Sequence, residues 1–194
     1  MAARLNFITS NPAKVKMAAE RLEKYGVSVS QTSLELEEVQ SFDVAEVAEK
    51  KVRQAMPKLT EPFFVEDSGF YIKALKRFPG PMVKSIMTAL GDERVTKLVG
   101  PNDSHEVEVI SVIAYGNPAT DTTKTFQGSY LGTIAESPRG TESRGWLLSK
   151  IFVPHGWDQT LAELNDTEWQ KFLDDFRHND HFDKLGQWLQ EQKQ

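Results

Sequence analysis

Apolar positions in the first part of the chain alternate between the period of a strand and the period of a helix. The pattern predicts, in order, a strand at 5–9, a helix at 13–25, a strand at 27–36 and a helix at 43–56. Pro12 breaks the first strand, and Gly26 ends the first helix. Asp43 is suited to cap the second helix, with Glu46 at its third position as in a capping box. The order β-α-β-α is typical of an α/β fold.

The rest of the chain adds a strand, a hairpin and further helices. We expect a strand at 63–65, a helix at 83–90 with a short helix from 92, hairpin strands at 106–115 and 122–131, and helices at 168–176 and 181–189. The apolar run Phe63-Phe64-Val65 predicts a buried strand that ends where Glu66 begins. Pro79-Gly80-Pro81 predicts a rigid turn, and Gly91 breaks the helical pattern around it.

Composition narrows the classes of protein. The chain has 194 residues, no cysteine and a formal net charge of −5, and we expect one bilobal domain over residues 1–194. The lack of cysteine excludes disulfides, a thiol nucleophile and cysteine-ligated zinc, so a bound metal would be held by carboxylates, histidine, carbonyls or water, which points to a hard cation. The negative charge argues against nonspecific nucleic-acid binding, and no run reaches the ~18 apolar residues of a membrane helix. Because residues 1–9 lack the apolar stretch of a secretory signal, we expect a cytoplasmic protein.

The segment from Thr9 to Lys14 has the layout of a phosphate site. Thr9, Ser10 and Asn11 place hydroxyls and an amide between a strand and a helix, and Lys14 follows in the first helical turn. Free N–H groups at a helix N-terminus and a nearby lysine suit a phosphate group. The segment lacks the glycine-rich P-loop pattern, however, and an ordinary βα turn with a solvated lysine is the commoner arrangement for such a stretch.

The sequence Glu66-Asp67-Ser68-Gly69 directly follows an apolar strand. Charged residues are costly there unless they bind something or reach the surface. Paired carboxylates suit a magnesium site in which one carboxylate holds the metal and the other orients or deprotonates a water molecule. A strand that emerges into solvent through a polar turn explains the same residues equally well, so the sequence alone leaves both interpretations open.

Three other features have both structural and functional interpretations. The acidic stretch 35–38 could supply a further metal ligand, although such a cluster is more often a solvated bend. Lys84 could face a phosphate group or lie at the edge of an apolar helix. Trp146 and Trp157 could stack on a base or belong to the core. The histidines show no compact metal-binding spacing.

Five blocks of sequence, in order, resemble the inosine triphosphate pyrophosphatase family, whose members clear noncanonical purine nucleotides such as ITP, dITP and XTP. The blocks are FITSNPAKVKMAAERL, LELEEVQS, FFVEDSGFYIKAL, FPGPMVKSI, and SPRGTESRGW followed by IFVPHGWDQTLAEL, within residues 4–164. The resemblance implies a mixed α/β fold, with an elongated, twisted central sheet flanked by helices that form two lobes and a nucleotide cleft between them. It also implies a homodimer and magnesium-dependent hydrolysis of a triphosphate to a monophosphate and pyrophosphate.

The resemblance also implies a role for individual residues. Those matched to substrate binding are Thr9, Ser10, Asn11, Lys14, Ser68, Gly69, Lys84, Gly145, Trp146 and His181. Those matched to the metal are Glu38, Glu66 and Asp67. Asp67 also matches the carboxylate that activates water, and Lys51 matches a catalytic phosphate lysine, with Arg53 as the alternative. Magnesium would offset phosphate charge, and the lysines would stabilise the charge that grows on the leaving pyrophosphate.

The base-recognition segments depart from the family pattern. The aromatic residue before Gly145 and the aspartate after Trp146 are absent. Near the C-terminus, the Ser-His-Arg signature is reduced to His181, and Lys171 is a loose match for the lysine upstream of it. We therefore expect the family's phosphate chemistry with an altered base preference. The alternatives are a house-cleaning pyrophosphatase for another modified nucleotide, similar to the Maf-like proteins, and a catalytically weak nucleotide-binding protein.

Overall fold

The structure is a computed structural model that describes residues 3–143, 145–177 and 180–192. The helices are α1 (Pro12–Leu22), α2 (Val44–Ala55), α3 (Val83–Thr96), α4 (Asp166–Arg177) and α5 (His181–Glu191). The strands are β1 (Ala3–Ile8), β2 (Val27–Thr32), β3 (Phe63–Ile72), β4 (Pro79–Gly80), β5 (Glu106–Asn117), β6 (Thr122–Ile134) and β7 (Phe152–Pro154). None of the described helices has the length and apolar character needed to cross a membrane.

The strands form one seven-stranded sheet in the order β2-β1-β3-β5-β6-β7, with β4 paired to β3. Strand β1 runs parallel to both β2 and β3, whereas β4 is antiparallel to β3 and β7 is antiparallel to β6. Helices α1 and α2 connect the three parallel strands, as the β-α-β-α pattern predicts. The mixed α/β class is therefore confirmed, and β5 and β6 are neighbours as expected of the predicted hairpin.

The chain divides into two compact units. The first comprises Met1–Asp67, Ser111–Gly128 and Asn179–Gln194, and the second comprises Ser68–Ile110 and Ser129–His178. Each unit has its own apolar core. Phe7 and Phe64 are fully buried in the core of the first unit, and Phe70 and Ile151 are fully buried in the core of the second. The assignment of residues 1–194 to a single bilobal domain stays a prediction.

Aromatic packing in the first unit fixes the register of β1 and β3. Phe7 lies opposite Phe64, and their rings stack with centroids 4.3 Å apart and an interplanar angle of 20°. Burial of two aromatic side chains strongly favours this register over its neighbours. Because β1 ends at Ile8, the residues two and three positions after Phe64 extend past the end of β1. These residues are Glu66 and Asp67.

Helix α5 packs against α1 in the same unit. Ala18 of α1 and Leu185 of α5 are both fully buried in the first core. Gly186 permits the close approach of α5, because a Cβ atom at this position would lie 2.1 Å from Cδ2 of the Tyr25 ring. A larger residue there would displace the helix or the ring. The middle of α5 is therefore held close to the turn that follows α1.

Two predicted strand boundaries are wrong. The predicted strand 63–65 is only the beginning of β3, so that Glu66 and Asp67 lie inside a strand and not after its end. Strand geometry continues after β1 has ended because β3 has a second neighbour in the sheet, β5, and because β4 pairs with Phe70 and Tyr71. Strand β2 ends at Thr32 and not at residue 36, because its partner β1 ends at Ile8, which lies directly opposite Thr32.

Helix α2 begins at its predicted cap, but its hydrogen bonds differ from those of a capping box. Asp43 accepts a hydrogen bond from the Ala45 N–H group at 2.8 Å. Glu46 accepts from the Ser41 hydroxyl at 2.6 Å and does not reach back to the backbone of the cap residue. These contacts fix the start of α2 and the orientation of the helix face that carries Lys51.

Candidate active site

The end of β1 and the neighbouring part of β3 bring together two segments that are far apart in the sequence. Strand β1 leads through α1 to β2 on one side, whereas β3 leads to β4 and β5 on the other side. Neighbouring parallel strands whose connections leave in opposite directions form the usual ligand crevice of open α/β sheets. The loop 9–11 and the first turn of α1 follow β1 at this edge, and Glu66 and Asp67 extend past it.

Lys14 and Glu66 form an ion pair at this edge. Lys14 Nζ lies 2.8 Å from Glu66 Oε2 and donates to the Glu66 carbonyl oxygen at 3.4 Å. The Glu66 side chain is 3% exposed and the Lys14 side chain 31% exposed. Burial lowers the pKa of Lys14, but the attraction and hydrogen bond of Glu66, with a smaller attraction from Asp67, outweigh burial and raise this pKa above its ordinary value of 10.5. Lys14 is therefore positively charged at neutral pH.

Lys51 and Asp67 form a second ion pair. Lys51 Nζ, from α2, donates to Asp67 Oδ1 at 2.5 Å, and the two side chains are 16% and 18% exposed. The other carboxylate oxygen, Asp67 Oδ2, is buried and has no hydrogen-bond donor among the described residues. A buried oxygen of this kind is costly unless a ligand or water completes it. Asp67 thus has one oxygen held by lysine and one buried oxygen that lacks a donor among the described residues.

The alternative phosphate residue Arg53 lies on another face of α2. Two positions along a helix correspond to a rotation of about 200°, so Lys51 and Arg53 face away from each other. Arg53 is exposed and lines a surface cavity of about 390 Å³ together with Glu49, Tyr115 and Lys124 in the first unit. The structure therefore brings Lys51, the preferred match, to the acidic pair.

Local hydrogen bonds fix the loop between β1 and α1. Thr9 Oγ1 accepts from the Asn11 N–H group at 3.1 Å, and Asn11 Oδ1 accepts from the Ala13 N–H group at 3.0 Å, which caps α1. Ser10 is exposed between them. These bonds hold the first turn of α1 in an orientation that directs Lys14 toward β3. The contact of Thr9, Ser10 and Asn11 with a substrate stays a prediction.

His181 lies beside Glu66 in the first unit. Its side chain is 5% exposed, and its Nε2 atom is 3.9 Å from Glu66 Oε1. Burial lowers the pKa of His181 below its ordinary value of 6.5, outweighing the opposite effects of Glu66 and Asp180. The imidazole is therefore neutral at pH 7. The resemblance matched His181 to the base of the nucleotide, whereas the structure places its ring next to a predicted metal carboxylate.

A buried ion pair between Arg21 and Asp180 supports this arrangement and was missed in the sequence. Arg21 Nη2 lies 2.5 Å from Asp180 Oδ2, and their side chains are 8% and 1% exposed. The pair joins α1 to the cap of α5 and so fixes the position of His181. A signal was present, because Lys14, Ala18 and Arg21 recur at helical spacing and therefore share one face of α1.

The third predicted metal ligand, Glu38, does not join the acidic pair. It is exposed in the segment 33–43, which has no regular secondary structure. The side-chain amide of Gln54 holds this segment on α2 through bonds of 2.8 and 3.1 Å to the N–H and C=O groups of Glu37. Within the part of the chain that the structure describes, no three or more Asp, Glu or His side chains form a group that could hold a metal ion. The expected convergence of Glu38 with Glu66 and Asp67 is therefore absent.

Glu66 and Asp67 nevertheless fit a divalent cation of the magnesium type. They are consecutive residues with hard oxygen ligands, the charges of both act on Lys14, and Asp67 Oδ2 lacks a donor among the described residues. Magnesium sites commonly use one or two carboxylates and complete the octahedron with water and substrate phosphates, without a cage made only of protein ligands. Two carboxylates at a predicted phosphate site match that ligand set.

The remaining predicted substrate residues belong to the second unit: Ser68, Gly69, Lys84, Gly145 and Trp146. Lys84 is exposed in the first turn of α3, and Gly145 is exposed with a φ of 74°. Trp146 is half-buried in the second core, where its ring lies edge-on to those of Trp169 and Phe172, at centroid distances of 6.5 and 6.2 Å. These contacts favour the core interpretation for Trp146. The substrate roles of all five residues stay predictions.

Comparison with known families and proteins finds one matching family model and several named relatives. The model of the Ham1 family matches residues 5–175. A protein of Methanopyrus kandleri named dITP/XTP pyrophosphatase is 38% identical over 84% of this chain and 85% of its own length. A protein of Yarrowia lipolytica named inosine triphosphate pyrophosphatase is 31% identical over 82% of this chain and 83% of its own length.

Solved structures share the fold. A Ham1 protein of Coxiella burnetii superimposes with a TM-score of 0.81 at 22% identity, covering 97% of this chain and 99% of that protein. A Ham1 protein of Staphylococcus aureus superimposes with a TM-score of 0.76 at 20% identity, with the same coverage of 97% and 99%. At these identities the likeness establishes the architecture, which agrees with the mixed α/β sheet described above.

Proposed function

Because the chain belongs to the Ham1 family, we propose that it hydrolyses nucleoside triphosphates of noncanonical purines, such as ITP, XTP and dITP, to the monophosphate and pyrophosphate. The activities named for its relatives in Methanopyrus kandleri and Yarrowia lipolytica support this substrate class. One observation in the chain itself carries the proposal. The carboxylates of Glu66 and Asp67, each opposed by a lysine, lie within β3 just beyond the end of β1.

Lys14 and Lys51 supply the positive charge that a triphosphate requires. Lys14 is 31% exposed, and Lys51 approaches the same acidic pair from α2. As the bond between the α-phosphorus and the bridging oxygen breaks, negative charge grows on the leaving pyrophosphate. Cations that are already in place stabilise this charge without reorganising at the moment of reaction. We therefore assign both lysines to binding and to stabilisation of the leaving group.

Asp67 is the residue best placed to accept a proton from the attacking water. Lys51 holds Oδ1 and so orients the carboxylate, whereas Oδ2 is buried without a donor. In the proposed step, the water oxygen bonds to the α-phosphorus, the bond to the pyrophosphate oxygen breaks, and the water proton passes to Oδ2. The nucleoside monophosphate and pyrophosphate are then released.

Glu66 and Asp67 would hold a divalent cation, which supplies charge neutralisation for the phosphates when it is bound. The identity of this ion as magnesium, the homodimer and the cytoplasmic location stay predictions. Among the described residues, His181 contributes a neutral ring beside Glu66 and fills the space around that carboxylate.

A substrate panel tests the proposal. Pyrophosphate release is measured with magnesium for ITP, XTP, dITP, dUTP and the four standard nucleoside triphosphates. We expect the 6-keto purine nucleotides to be cleaved with the highest kcat/KM. A preference of roughly 10²-fold or more over ATP would show that specific polar contacts to the base are retained. Preference for a different modified nucleotide would instead support the Maf-like alternative.

The variant Asp67→Asn separates catalysis from binding in this panel. It should reduce pyrophosphate release by roughly 10³-fold while it retains binding of the nucleotide, because an amide cannot accept the proton. A protein that binds ITP but cleaves none of the panel would support the alternative of a catalytically weak nucleotide-binding protein. Turnover that is unchanged in Asp67→Asn would contradict the proposed role of this carboxylate.

A further inference from the structure

The candidate active site is electrically balanced before any ligand binds. The four charged side chains are Lys14, Lys51, Glu66 and Asp67, and they form two ion pairs, with N–O distances of 2.8 and 2.5 Å. Side-chain exposure runs from 3% to 31%, so water screens these pairs only partly. The carboxylates suited to a cation are therefore already paired with the lysines suited to phosphate.

A single ligand cannot satisfy this arrangement. A divalent cation that binds Glu66 and Asp67 in the absence of polyphosphate would leave the two lysine ammonium groups without their carboxylate partners. A polyphosphate that binds the lysines alone would face two carboxylates in the same way. Unpaired charges with little access to water are costly, so each ligand by itself must work against the existing ion pairs.

When both ligands bind together, each side chain changes its partner and no charge is left uncompensated. The carboxylates then face the cation, and the lysines face the phosphate oxygens. We propose that the pairs Lys14–Glu66 and Lys51–Asp67 are exchangeable counterions that couple the binding of a divalent cation to the binding of a polyphosphate chain. This inference rests on the proposed function for the choice of ligands, and on the two ion pairs for the coupling.

The two pairs should contribute unequally. Lys14 has a second acceptor, the Glu66 carbonyl oxygen at 3.4 Å, to which it can remain bonded when the carboxylate turns to a cation. Among the described residues, the acceptor of Lys51 Nζ is Asp67 Oδ1, and both side chains of that pair are less than one-fifth exposed, at 16% and 18%. Lys51 therefore has the larger share of the coupling.

Coupling of this kind is a reciprocal change in affinity. If the cation raises the affinity for polyphosphate by a given factor, polyphosphate must raise the affinity for the cation by the same factor. Isothermal titration calorimetry on the full chain would use Mg²⁺ alone, inorganic tripolyphosphate alone, and each ligand in the presence of the other, corrected for the complex they form in solution. We expect a mutual increase in affinity of about 10-fold or more.

Lys51→Met distinguishes exchange from simple attraction. Removal of the lysine should raise the affinity for Mg²⁺ alone, because Asp67 is then no longer neutralised, and should reduce the coupling factor toward one. Lys50→Met is the matched control, since Lys50 is the neighbouring residue on α2 and pairs on the surface with Glu46. Lys50→Met should leave both affinities and the coupling factor unchanged.

Lys14→Met provides a second variant at a more exposed position, in case Lys51→Met does not fold. It should change the same quantities in the same direction by a smaller factor. The proposal is overturned if Mg²⁺ alone binds the wild type as tightly as it does with tripolyphosphate, or if neither lysine variant alters the affinity for Mg²⁺ alone. Loss of hydrolysis across the nucleotide panel with intact coupling would reject the proposed function and leave this inference standing.

Discussion

Helix α2 carries two lysine–carboxylate pairs of nearly equal length on two different faces. Lys50 lies 2.6 Å from Glu46, one turn away on the same helix, and the side chains are 44% and 48% exposed. Lys51, the next residue, lies 2.5 Å from Asp67 on β3, and the side chains are 16% and 18% exposed. The distances are almost the same, so distance alone does not tell which pair belongs to a functional site.

Helix α1 shows the same contrast. Lys16 and Glu20 form an outer pair at 4.0 Å with 81% and 60% exposure, whereas Lys14 pairs with Glu66, which is 3% exposed. Exposed pairs one turn apart contribute a few tenths of a kcal/mol and are screened by salt. Charges that are largely removed from water interact more strongly and are costly to separate. The pairs Lys14–Glu66 and Lys51–Asp67, which we call the inner pairs, also join elements that are distant in the sequence. This helps to position the residues of one site.

The largest expected difference between the two faces is catalytic. Asp67→Asn should reduce kcat for pyrophosphate release by roughly 10³-fold, because it removes the proton acceptor. Glu46→Gln removes the carboxylate of the outer pair and should leave kcat within about twofold of wild type, because the residue is exposed and outside the acidic pair. Stopped assays of pyrophosphate release with ITP measure both variants. Equal losses in the two variants would remove the distinction between the faces.

The second expected effect is on stability. Arg21→Met leaves Asp180 buried without its partner, and we expect a loss of about 3–5 kcal/mol in the free energy of unfolding. Lys24→Met is the matched control, because Lys24 belongs to the same group of charges, pairs with Asp183 at 2.7 Å and is 55% exposed. It should cost at most about 1 kcal/mol. Urea unfolding of the wild type and both variants gives these values, and a similar cost for both variants would contradict the prediction.

The third expected effect is that of Lys51 and Lys50 on substrate turnover. Lys51→Met should reduce kcat/KM for ITP by about 10²-fold, in the range found when one group that stabilises the transition-state charge is removed. Lys50→Met changes the adjacent residue on the outer face and should leave kcat/KM near that of the wild type. Steady-state kinetics with ITP and magnesium compares the two variants. A larger loss in Lys50→Met than in Lys51→Met would place the phosphate contact on the face of α2 that carries Lys50 and would contradict the prediction.

The four residues of the inner pairs could be singled out from the sequence wherever the signal was local. A loop between a strand and a helix with a lysine in the first turn made Lys14 a candidate, and an acidic pair next to an apolar run made Glu66 and Asp67 candidates. Both stretches kept a structural interpretation until the family resemblance was added, and the roles of these residues stay predictions. The preferred match Lys51 also lies at the site. These signals need only neighbouring residues, because the strand and helix periods are properties of short segments.

Features that depend on long-range pairing could not be predicted. Strand β3 continues past Val65 because β5 lies beside it and β4 pairs with Phe70 and Tyr71, and this pairing is decided by tertiary structure. Helical spacing places Arg21 on the same face of α1 as Lys14, but no local pattern connects Arg21 with its partner Asp180 near the other end of the chain. The position of Glu38 depends on how Gln54 holds the backbone of the preceding segment, which a count of acidic residues cannot show.

The smallest expected effect is the pH dependence that His181, beside the inner pair Lys14–Glu66, gives to the free energy of unfolding. Groups from three elements surround its ring: Glu66 of β3, Asp180 at the start of α5, and Arg21 and Lys14 of α1. Burial, the largest influence, lowers the pKa of His181 in the folded state below the ordinary value of 6.5, so the unfolded chain takes up a proton first as the pH falls. Stability due to this residue is therefore complete above pH 6.5 and decreases below it.

The slope of that loss reaches at most about 1.4 kcal/mol per pH unit, the value for one proton. The variant His181→Gln has no titrating ring, so the difference in the free energy of unfolding between wild type and variant isolates the contribution of the histidine. Urea unfolding from pH 8 to pH 5 should give a constant difference above pH 7 and a progressive relative loss in the wild type below pH 6.5. Parallel curves over the whole range would show that His181 is not held neutral beside Glu66.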